Sequence, residues 1–145
     1  MNKILIVHTS WYKEYVDEMK EISTEIIIKN GFQVESVIAP GSIELAGLGK
    51  HKIMESGSSL FKGIFFLGLV IRGETSHYDL VTNETFRSIG TLALEYPHIS
   101  MINNVICVEN KNQLIDRLKK NTKNNSEALI SLINEKSSFI FKIFQ

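Results

Sequence analysis

Short apolar runs alternate with amphipathic stretches along the whole chain, and this alternation constrains the fold more than any other feature. Strands are predicted over residues 4–7, 33–39, 63–70 and 101–108. The first and third of these are nearly continuous runs of Ile, Leu, Val and Phe without polar alternation. Such runs are typical of strands that are buried on both faces of a parallel sheet.

Helical spacing fills the intervals between the strands. Apolar residues recur three or four positions apart after the first strand, and the pair Asn30-Gly31 then predicts a helix end. Ser42 has the side chain of a helix N-cap, and Asn124 with Glu127 resembles a capping box. The predicted helices run through residues 15–26, from 42 to about 54, over 80–95, from 112 to about 120 and from 124 toward Phe144, with a loop or kink in the polar run 119–125.

The order of these elements, β-α-β-α-β-α-β-α-α with short connections, indicates a parallel sheet with helices on both faces. The chain has 145 residues, which suits one domain of ordinary size. We therefore expect a single domain over residues 1–145, with the α/β fold class and a three-layer α/β/α sandwich around a four-stranded parallel sheet.

Charge and cysteine content exclude several classes of protein. Lys plus Arg and Asp plus Glu both number 16, and a net charge of zero argues against a surface that coats DNA or RNA. No stretch approaches the roughly 18 apolar residues of a membrane span, and the apolar tail 139–144 is too short to be one. Cys107 is the single cysteine, so an intrachain disulfide is impossible and a reducing, cytoplasmic location is expected.

The third predicted strand ends in the segment that is richest in chemistry. In open parallel sheets, ligands bind outside the carboxyl ends of the strands. Gly73 permits close backbone approach, and Thr75 and Ser76 supply hydroxyls. The backbone amides up to His77 can cradle an anion just before a helix begins, and His77 can exchange a proton near neutral pH.

Simpler structural interpretations stay open for several single residues. Trp11 is explained equally by packing in the core and by contact with a ligand. An ion pair with Glu74 or Glu44 would explain Arg72. The histidines other than His77 are interpreted as capping or surface residues.

Several cofactor motifs are absent from the sequence. There is no G-x-G-x-x-G after the first strand, no G-x-x-x-x-G-K-S/T loop, no C-x-x-C and no H-E-x-x-H. Glu74 and Asp79 are not spaced as metal ligands, and Cys107 lies in a predicted strand, where a small core residue is expected. We therefore expect neither a metal nor a dinucleotide cofactor.

Three segments together resemble the lumazine synthase family. They are residues 68–81 (GLVIRGETSHYDLV), residues 39–45 (APGSIEL) and the first strand end with Trp11. The resemblance covers nearly the whole chain, and the G-E-T-x-H-Y-D run is highly specific. It implies a flavodoxin-like fold and a transferase that uses no metal or organic cofactor. The implied reaction condenses 5-amino-6-(D-ribitylamino)uracil with 3,4-dihydroxy-2-butanone 4-phosphate to 6,7-dimethyl-8-ribityllumazine, the penultimate step of riboflavin biosynthesis.

The resemblance also implies roles for individual residues. His77 matches the family's proton-transfer histidine, and Arg117 matches a phosphate-binding arginine that reaches in from the adjacent subunit. The pyrimidine ring and the ribityl chain are expected to contact Trp11, Ser42, Ile43, Glu44, Val70, Ile71 and Asn103. The phosphate is expected to contact Gly73, Glu74, Thr75 and Arg117.

Two departures from the family pattern concern substrate contacts. Many members carry a lysine before the last helix that orients the substrate, and here Asn124 or Asn125 takes its place. Either Lys123 or Lys120 substitutes for it, or one cationic contact is missing. Many members also have Phe-Gly in the fourth strand, where this chain has Asn103 followed by another asparagine.

The resemblance further implies a homo-oligomer with active sites between adjacent subunits. Family members form pentamers, and some assemble into decamers or 60-subunit shells. A pentamer is favoured here because the chain begins almost at the first strand and because the polar run 119–125 is predicted to form a loop near the subunit contacts. The product is expected to pass to riboflavin synthase.

Two other functions stay open from the sequence. A relative repurposed to bind a flavin would explain the missing lysine, although His77 and Arg117 argue against it. A flavodoxin-like electron carrier would need a first loop rich in Ser, Thr and Gly, and residues 9–12 are too short and contain no glycine.

Overall fold

The structure is a computed structural model that describes residues 2–143, with residues 138–143 described by their backbone only. Phe144 and the side chains of the apolar tail therefore lie outside the described residues. The strands are β1 (Lys3–Thr9), β2 (Gln33–Ala39), β3 (Phe61–Ile71) and β4 (Ser100–Val108). The helices are α1 (Lys13–Lys29), α2 (Leu45–Ser56), α3 (His77–Glu95) and α4 (Lys111–Ile143). All strand pairs are parallel, in the order β2-β1-β3-β4, which confirms the predicted four-stranded sheet.

Two helices cover each face of the sheet. Alternate side chains of the central strands, such as Ile6 and Phe65, pack against α1 and α4, whereas Val7 and Phe66 pack against α2 and α3. A strand buried on both faces has no polar face, which is why β1 and β3 are continuous apolar runs in the sequence. The predicted three-layer α/β/α arrangement is confirmed.

The first helix ends where the sequence predicts. The Asn30 backbone N–H donates to the Ile26 carbonyl, and its side-chain Nδ2 donates to the same oxygen at 2.8 Å. Gly31 follows with φ of 90°, a left-handed conformation that glycine adopts without a Cβ clash. The chain thereby reverses into β2 with three residues between the helix and the strand.

The predicted N-cap role of Ser42 is wrong. Residues Ser42–Glu44 form one turn of 3₁₀ helix, and α2 begins only at Leu45. Ser42 is buried, and its Oγ lies 3.4 Å from the position that a Cβ on Gly68 would occupy. Packing against β3 therefore holds the turn at the carboxyl end of the sheet.

The predicted loop at residues 119–125 and the capping box at Asn124 and Glu127 are also wrong, because α4 continues through both as one helix. Thr122, within this polar run, and Ser126, directly after it, are fully buried. The Ser126 hydroxyl donates to the Thr122 carbonyl at 2.7 Å, as a buried hydroxyl in a helix commonly does.

A buried hydrogen-bond network joins this part of α4 to β4. Asn104 Nδ2 donates to Thr122 Oγ1 at 3.0 Å, and Asn125 Nδ2 donates to Asn104 Oδ1 at 2.8 Å. These bonds satisfy polar groups that would be costly to bury unpaired. The polar sequence that suggests a loop is therefore a helix docked on the sheet.

Cys107 lies on β4 and packs against the residues between the sheet and the α2–α3 layer. Burial raises the pKa of its thiol to about 11. At neutral pH the side chain is therefore a thiol rather than a nucleophilic thiolate, which agrees with its predicted role as a core residue.

No helix within residues 2–143 combines the length and the apolar character that crossing a membrane requires.

Gly63→Ala is expected to destabilise the fold by about 1–3 kcal/mol through overpacking. A Cβ at Gly63 would lie 3.0 Å from Cδ1 of Leu129 and of Ile133, and 3.1 Å from the backbone oxygen of Ser100, which the β3–β4 pairing fixes. In the matched control, Gly47→Ala in α2, the new Cβ meets nothing within 4 Å, and a gain of up to about 1 kcal/mol is expected. Thermal unfolding at one fixed protein concentration measures both, and a Gly63→Ala protein as stable as the wild type would contradict this packing.

Candidate active site

The connectivity of the sheet leaves a cleft at the carboxyl ends of β1 and β3. β1 leads into α1 and β3 leads into α3, and these two helices cover opposite faces of the sheet. Because neighbouring strands send the chain to opposite faces, a gap remains between the connecting loops. The cleft has a volume of about 420 Å³ and is open to solvent.

The cleft brings together most of the predicted residues for the ring, the ribityl chain and proton transfer. They come from three strand ends that are far apart in the sequence. The predicted residues that line it are Trp11, Ser42, Ile43, Glu44, Val70, Ile71 and His77.

The first wall is an aromatic turn between β1 and α1. Tyr12 precedes the helix with φ of 53°, a left-handed conformation that is uncommon outside glycine and tends to occur at functional sites. Trp11 is 67% exposed, so the core-packing interpretation of this residue is wrong. Tyr12 also lines the cleft and was missed by the sequence analysis, although its position beside Trp11 at a strand end was a usable signal.

A carboxylate lies beside this aromatic wall. A Cβ on Gly41 would lie 3.2 Å from Glu44 Oε2 and 3.9 Å from the indole Nε1 of Trp11, so both groups flank the same bare Cα. A carboxylate accepts hydrogen bonds from hydroxyls, and an indole offers a flat polarisable face. This combination suits a ligand with a planar ring and a hydroxylated chain.

The opposite wall is apolar and ends in a histidine. Val70 and Ile71 close β3, and His77 is the exposed first residue of α3. Leu69 and Val81 also line this wall. These two could not be predicted from the sequence, because an apolar residue inside a predicted strand or helix carries no signal of its own.

The predicted phosphate segment lies between β3 and His77 without lining the cleft. Gly73, Glu74 and Thr75 are all exposed, and the Thr75 hydroxyl accepts a hydrogen bond from the His77 amide at 3.3 Å. A Cβ at Gly73 would meet nothing within 4 Å among the described atoms, so the space around this loop is open. The N-terminus of α3 that follows carries a partial positive charge, which favours an anion.

The ion pairs predicted for Arg72 are wrong. Its guanidinium contacts Asp79 and Glu109 rather than Glu74 or Glu44. These two contacts raise the pKa of Arg72, with Asp79 as the larger cause.

Arg117 and Asn103 do not line the cleft of their own chain. Arg117 is exposed on α4 and donates from Nη1 to the Gln113 carbonyl at 3.2 Å. Asn103 is half-buried on the edge strand β4, where its Oδ1 accepts a hydrogen bond from the Val105 amide at 2.8 Å. Both residues therefore lie on the β4–α4 side of the molecule.

The candidate replacements for the family lysine point in different directions. Asn125 is half-buried and engaged with Asn104, whereas Asn124 is exposed. Lys123 lines a groove against acidic residues of α1. Lys120 is exposed three positions after Arg117, which places both cations on one face of the helix.

Within residues 2–137, whose side chains are described, no three His, Cys, Asp or Glu residues form a group that could hold a metal ion.

Comparison with known proteins identifies relatives of this chain. The family model of 6,7-dimethyl-8-ribityllumazine synthase matches residues 1–136. A 6,7-dimethyl-8-ribityllumazine synthase of Zymomonas mobilis is 31% identical over 140 residues, which cover 94% of this chain and 97% of the relative. The protein of that name from Sphingopyxis alaskensis is 29% identical over 143 residues, with 96% and 98% covered. Among solved structures, a flavone reductase matches with a TM-score of 0.41 and 15% identity over 88% of this chain and 62% of its own, a similarity too low to carry an argument.

The sequence-based predictions of the family, of the flavodoxin-like α/β fold and of a lumazine synthase activity in riboflavin biosynthesis are confirmed. The match extends over most of the chain and includes every residue that lines the cleft. The chain belongs to the 6,7-dimethyl-8-ribityllumazine synthase family.

Proposed function

We propose that the cleft binds 5-amino-6-(D-ribitylamino)uracil and that His77 moves protons while this substrate condenses with 3,4-dihydroxy-2-butanone 4-phosphate. The observation that carries the proposal is that Trp11, Glu44 and His77, from three separate strand ends, line one cleft. A stacking surface, a hydroxyl acceptor and a proton-transfer group are thereby available to one ligand.

Each wall of the cleft has a part in binding the pyrimidine. The exposed indole of Trp11 stacks on the ring, which is flat and polarisable. The 3₁₀ turn Ser42–Glu44 holds the ribityl hydroxyls, with the Glu44 carboxylate as acceptor. Val70 and Ile71 enclose the ring from the β3 side.

The reaction needs positioned substrates and moved protons rather than a strong nucleophile. The 5-amino nitrogen attacks the ketone carbon, and loss of water gives a Schiff base. Loss of phosphate and tautomerisation leave a carbonyl in the four-carbon unit. The ribitylamino nitrogen attacks this carbonyl, and loss of its oxygen as a second water completes the new ring. Each departing oxygen needs a proton and each new double bond releases one, which is the work of a general acid–base such as His77.

The phosphate is bound by the exposed loop before α3 and by a cation from the next subunit. The amides around Gly73, Glu74 and Thr75 precede a helix N-terminus, where anions are favoured. Arg117 does not line the cleft of its own chain and is exposed, so it is free to serve the cleft of a neighbour. A guanidinium suits this role because it stays charged and binds phosphate with two hydrogen bonds.

We propose a homopentamer with active sites between adjacent subunits. In a head-to-tail ring, each subunit presents one side to the cleft of its neighbour, and the β4–α4 side with Asn103 and Arg117 fits that role. Exposed apolar residues on α3, namely Leu80, Phe86 and Leu94, would be covered by such contacts. The polar run 119–125 no longer supports a pentamer, because it is helical, so the number of subunits rests on the family resemblance.

We further propose that residues 1–145 act as a single domain in the cytoplasm and that the product passes to riboflavin synthase. Cys107 is the single cysteine, so the chain has no intrachain disulfide that would call for an oxidising compartment.

Lys120 replaces the missing family lysine in this proposal. It shares an exposed face of α4 with Arg117, so both reach the same neighbouring cleft. Lys123 lies on another face, in the groove with Glu18 and Glu21 of α1. Opposite charges in that groove hold it away from the substrate.

His77→Ala is expected to slow turnover about 10²–10⁴-fold while leaving the oligomer intact, because proton transfer contributes about that much. Product absorbance with both substrates measures the rate, and light scattering of the same sample measures the mass. The control is His51→Ala, since His51 is exposed on α2 and contacts Glu55. Unchanged turnover would remove His77 from catalysis, and a folded wild type that makes no product would favour a flavin-binding relative.

Mixing His77→Ala subunits with Arg117→Ala subunits is expected to restore activity that neither variant has alone. In a random equal mixture, about a quarter of the interfaces join an intact His77 to an intact Arg117 across a head-to-tail contact. The measurement is turnover at low concentration of the phosphate substrate, after unfolding and co-refolding, with mixed assembly confirmed by mass spectrometry. No recovery in confirmed mixed oligomers would place the whole site within one subunit.

Lys120→Ala is expected to raise the KM of the phosphate-bearing substrate about tenfold, the effect of losing one charge-assisted hydrogen bond. Lys123→Ala removes the same charge from the same helix and is expected to leave that KM unchanged. Steady-state kinetics with the pyrimidine at saturation compares the two variants. The reverse ranking would show that Lys123 is the substitute.

A further inference from the structure

We propose that Arg72 is a positioning residue: with Asp79 and Glu109 it holds residues 73–76 in the conformation that receives the phosphate of the substrate. The inference rests on the proposed function of that segment and adds a group that does not itself touch the ligand. We call these three side chains the clamp.

The clamp closes the loop between β3 and α3 at its base. Arg72 directly follows β3, and Asp79 lies in the first turn of α3. Nη2 of Arg72 donates to Asp79 Oδ1 at 3.0 Å, and Nη1 donates to Asp79 Oδ2 at 3.3 Å. This two-bond fork fixes both the distance and the orientation of the two ends of the loop.

A third element, the end of β4, completes the clamp. Nε of Arg72 donates to Glu109 Oε2, and the Arg72 amide donates to the Val108 carbonyl at 2.9 Å. The guanidinium also lies over the ring of Tyr78, with 4.2 Å between its carbon and the ring centroid. Arg72 is therefore held by α3, by β4 and by an aromatic face at the same time.

The geometry assigns Arg72 to positioning rather than to phosphate binding. Its charge is matched by two carboxylates, and its Nε, Nη1 and Nη2 atoms already donate to Glu109 and Asp79. The loop between Arg72 and Asp79 is exposed and has open space around Gly73. Its amides can serve an anion only if their directions are fixed, and fixed dipoles bind charge without a reorganisation cost.

The clamp orders the loop and contributes little to the stability of the whole fold. The side chains of Arg72, Asp79 and Glu109 are 35%, 53% and 53% exposed. Exposed ion pairs add little to global stability. Breaking the clamp should therefore loosen the loop while the midpoint of unfolding stays nearly constant.

The test compares Arg72→Gln with Arg87→Gln. Arg87 makes a similar fork on Glu84 of the same helix, with Nε and Nη2 at 2.7 Å and 2.6 Å from the carboxylate oxygens, but lies outside the cleft and the loop. Amide hydrogen exchange is measured on the assembled proteins for residues 77–80, where the His77 amide donates to Thr75 Oγ1 and the Asp79 and Leu80 amides donate to the Ser76 carbonyl of the loop. The KM of each substrate is measured on the same samples. Exchange is read from peptides of that segment.

Arg72→Gln is expected to speed exchange of these amides about tenfold and to raise the KM of the phosphate-bearing substrate about 10- to 100-fold, as a misplaced binding group does. The KM of the pyrimidine substrate and the melting temperature should stay as in the wild type. Asp79→Asn should act in the same way, and the double variant should be no worse than Arg72→Gln, because both changes break one interaction. Arg87→Gln should change none of these values.

Each contrary result has a distinct meaning. Exchange that is equal in Arg72→Gln and the wild type would overturn the clamp, whatever the activity. Faster exchange with an unchanged KM for the phosphate-bearing substrate would overturn its role in phosphate binding. A wild type without turnover would contradict the proposed function but not the clamp, because hydrogen exchange reports on the loop independently of the reaction.

Discussion

Right-handed connection of parallel strands is the constraint on which the site depends. From β1 to β2 and from β3 to β4 the chain moves in opposite directions across the sheet, so right-handed crossovers place α1 and α3 on opposite faces. The cleft is the gap between their first turns, and Trp11 and His77 line it because each follows one of the two central strands. Since both strands are buried, the rigid sheet fixes where the two connections begin, two residues before Trp11 and six residues before His77.

The buried polar contact between β4 and α4 is the second constraint. Asn104 is fully buried, and its amide is satisfied by Thr122 and Asn125 of the helix. A break in α4 at this point would leave these groups without partners, at a cost comparable to a large share of the stability of a domain. In the proposed ring, Arg117 and Lys120 therefore face the neighbouring cleft from a helix that hydrogen bonds hold against β4.

Local signals explain which features could be predicted from the sequence. The strands could be predicted from apolar runs, and the cleft from the polar and aromatic residues that follow the strands. The predicted bounds of β2 agree with the structure. The course of α4 could not be predicted, because Asn has low helix propensity and the overriding contacts join Asn104 to residues 18 and 21 positions away. The left-handed turn at Tyr12 is a similar case, since its backbone conformation depends on where β1 and α1 are held.

In the proposed ring, Arg72 and Arg117 have different parts: Arg72 acts within its own subunit, and Arg117 acts on the neighbouring one. Arg72 shapes the loop within its own chain, and its carboxylate partners leave it no charge to offer an anion. The loop alone therefore supplies only backbone dipoles, which favour an anion modestly when exposed to water. In the proposed ring, full positive charges come from Arg117 and Lys120 of the next subunit. Pyrimidine binding then depends mainly on one chain, whereas phosphate binding, and with it the reaction, depends on assembly.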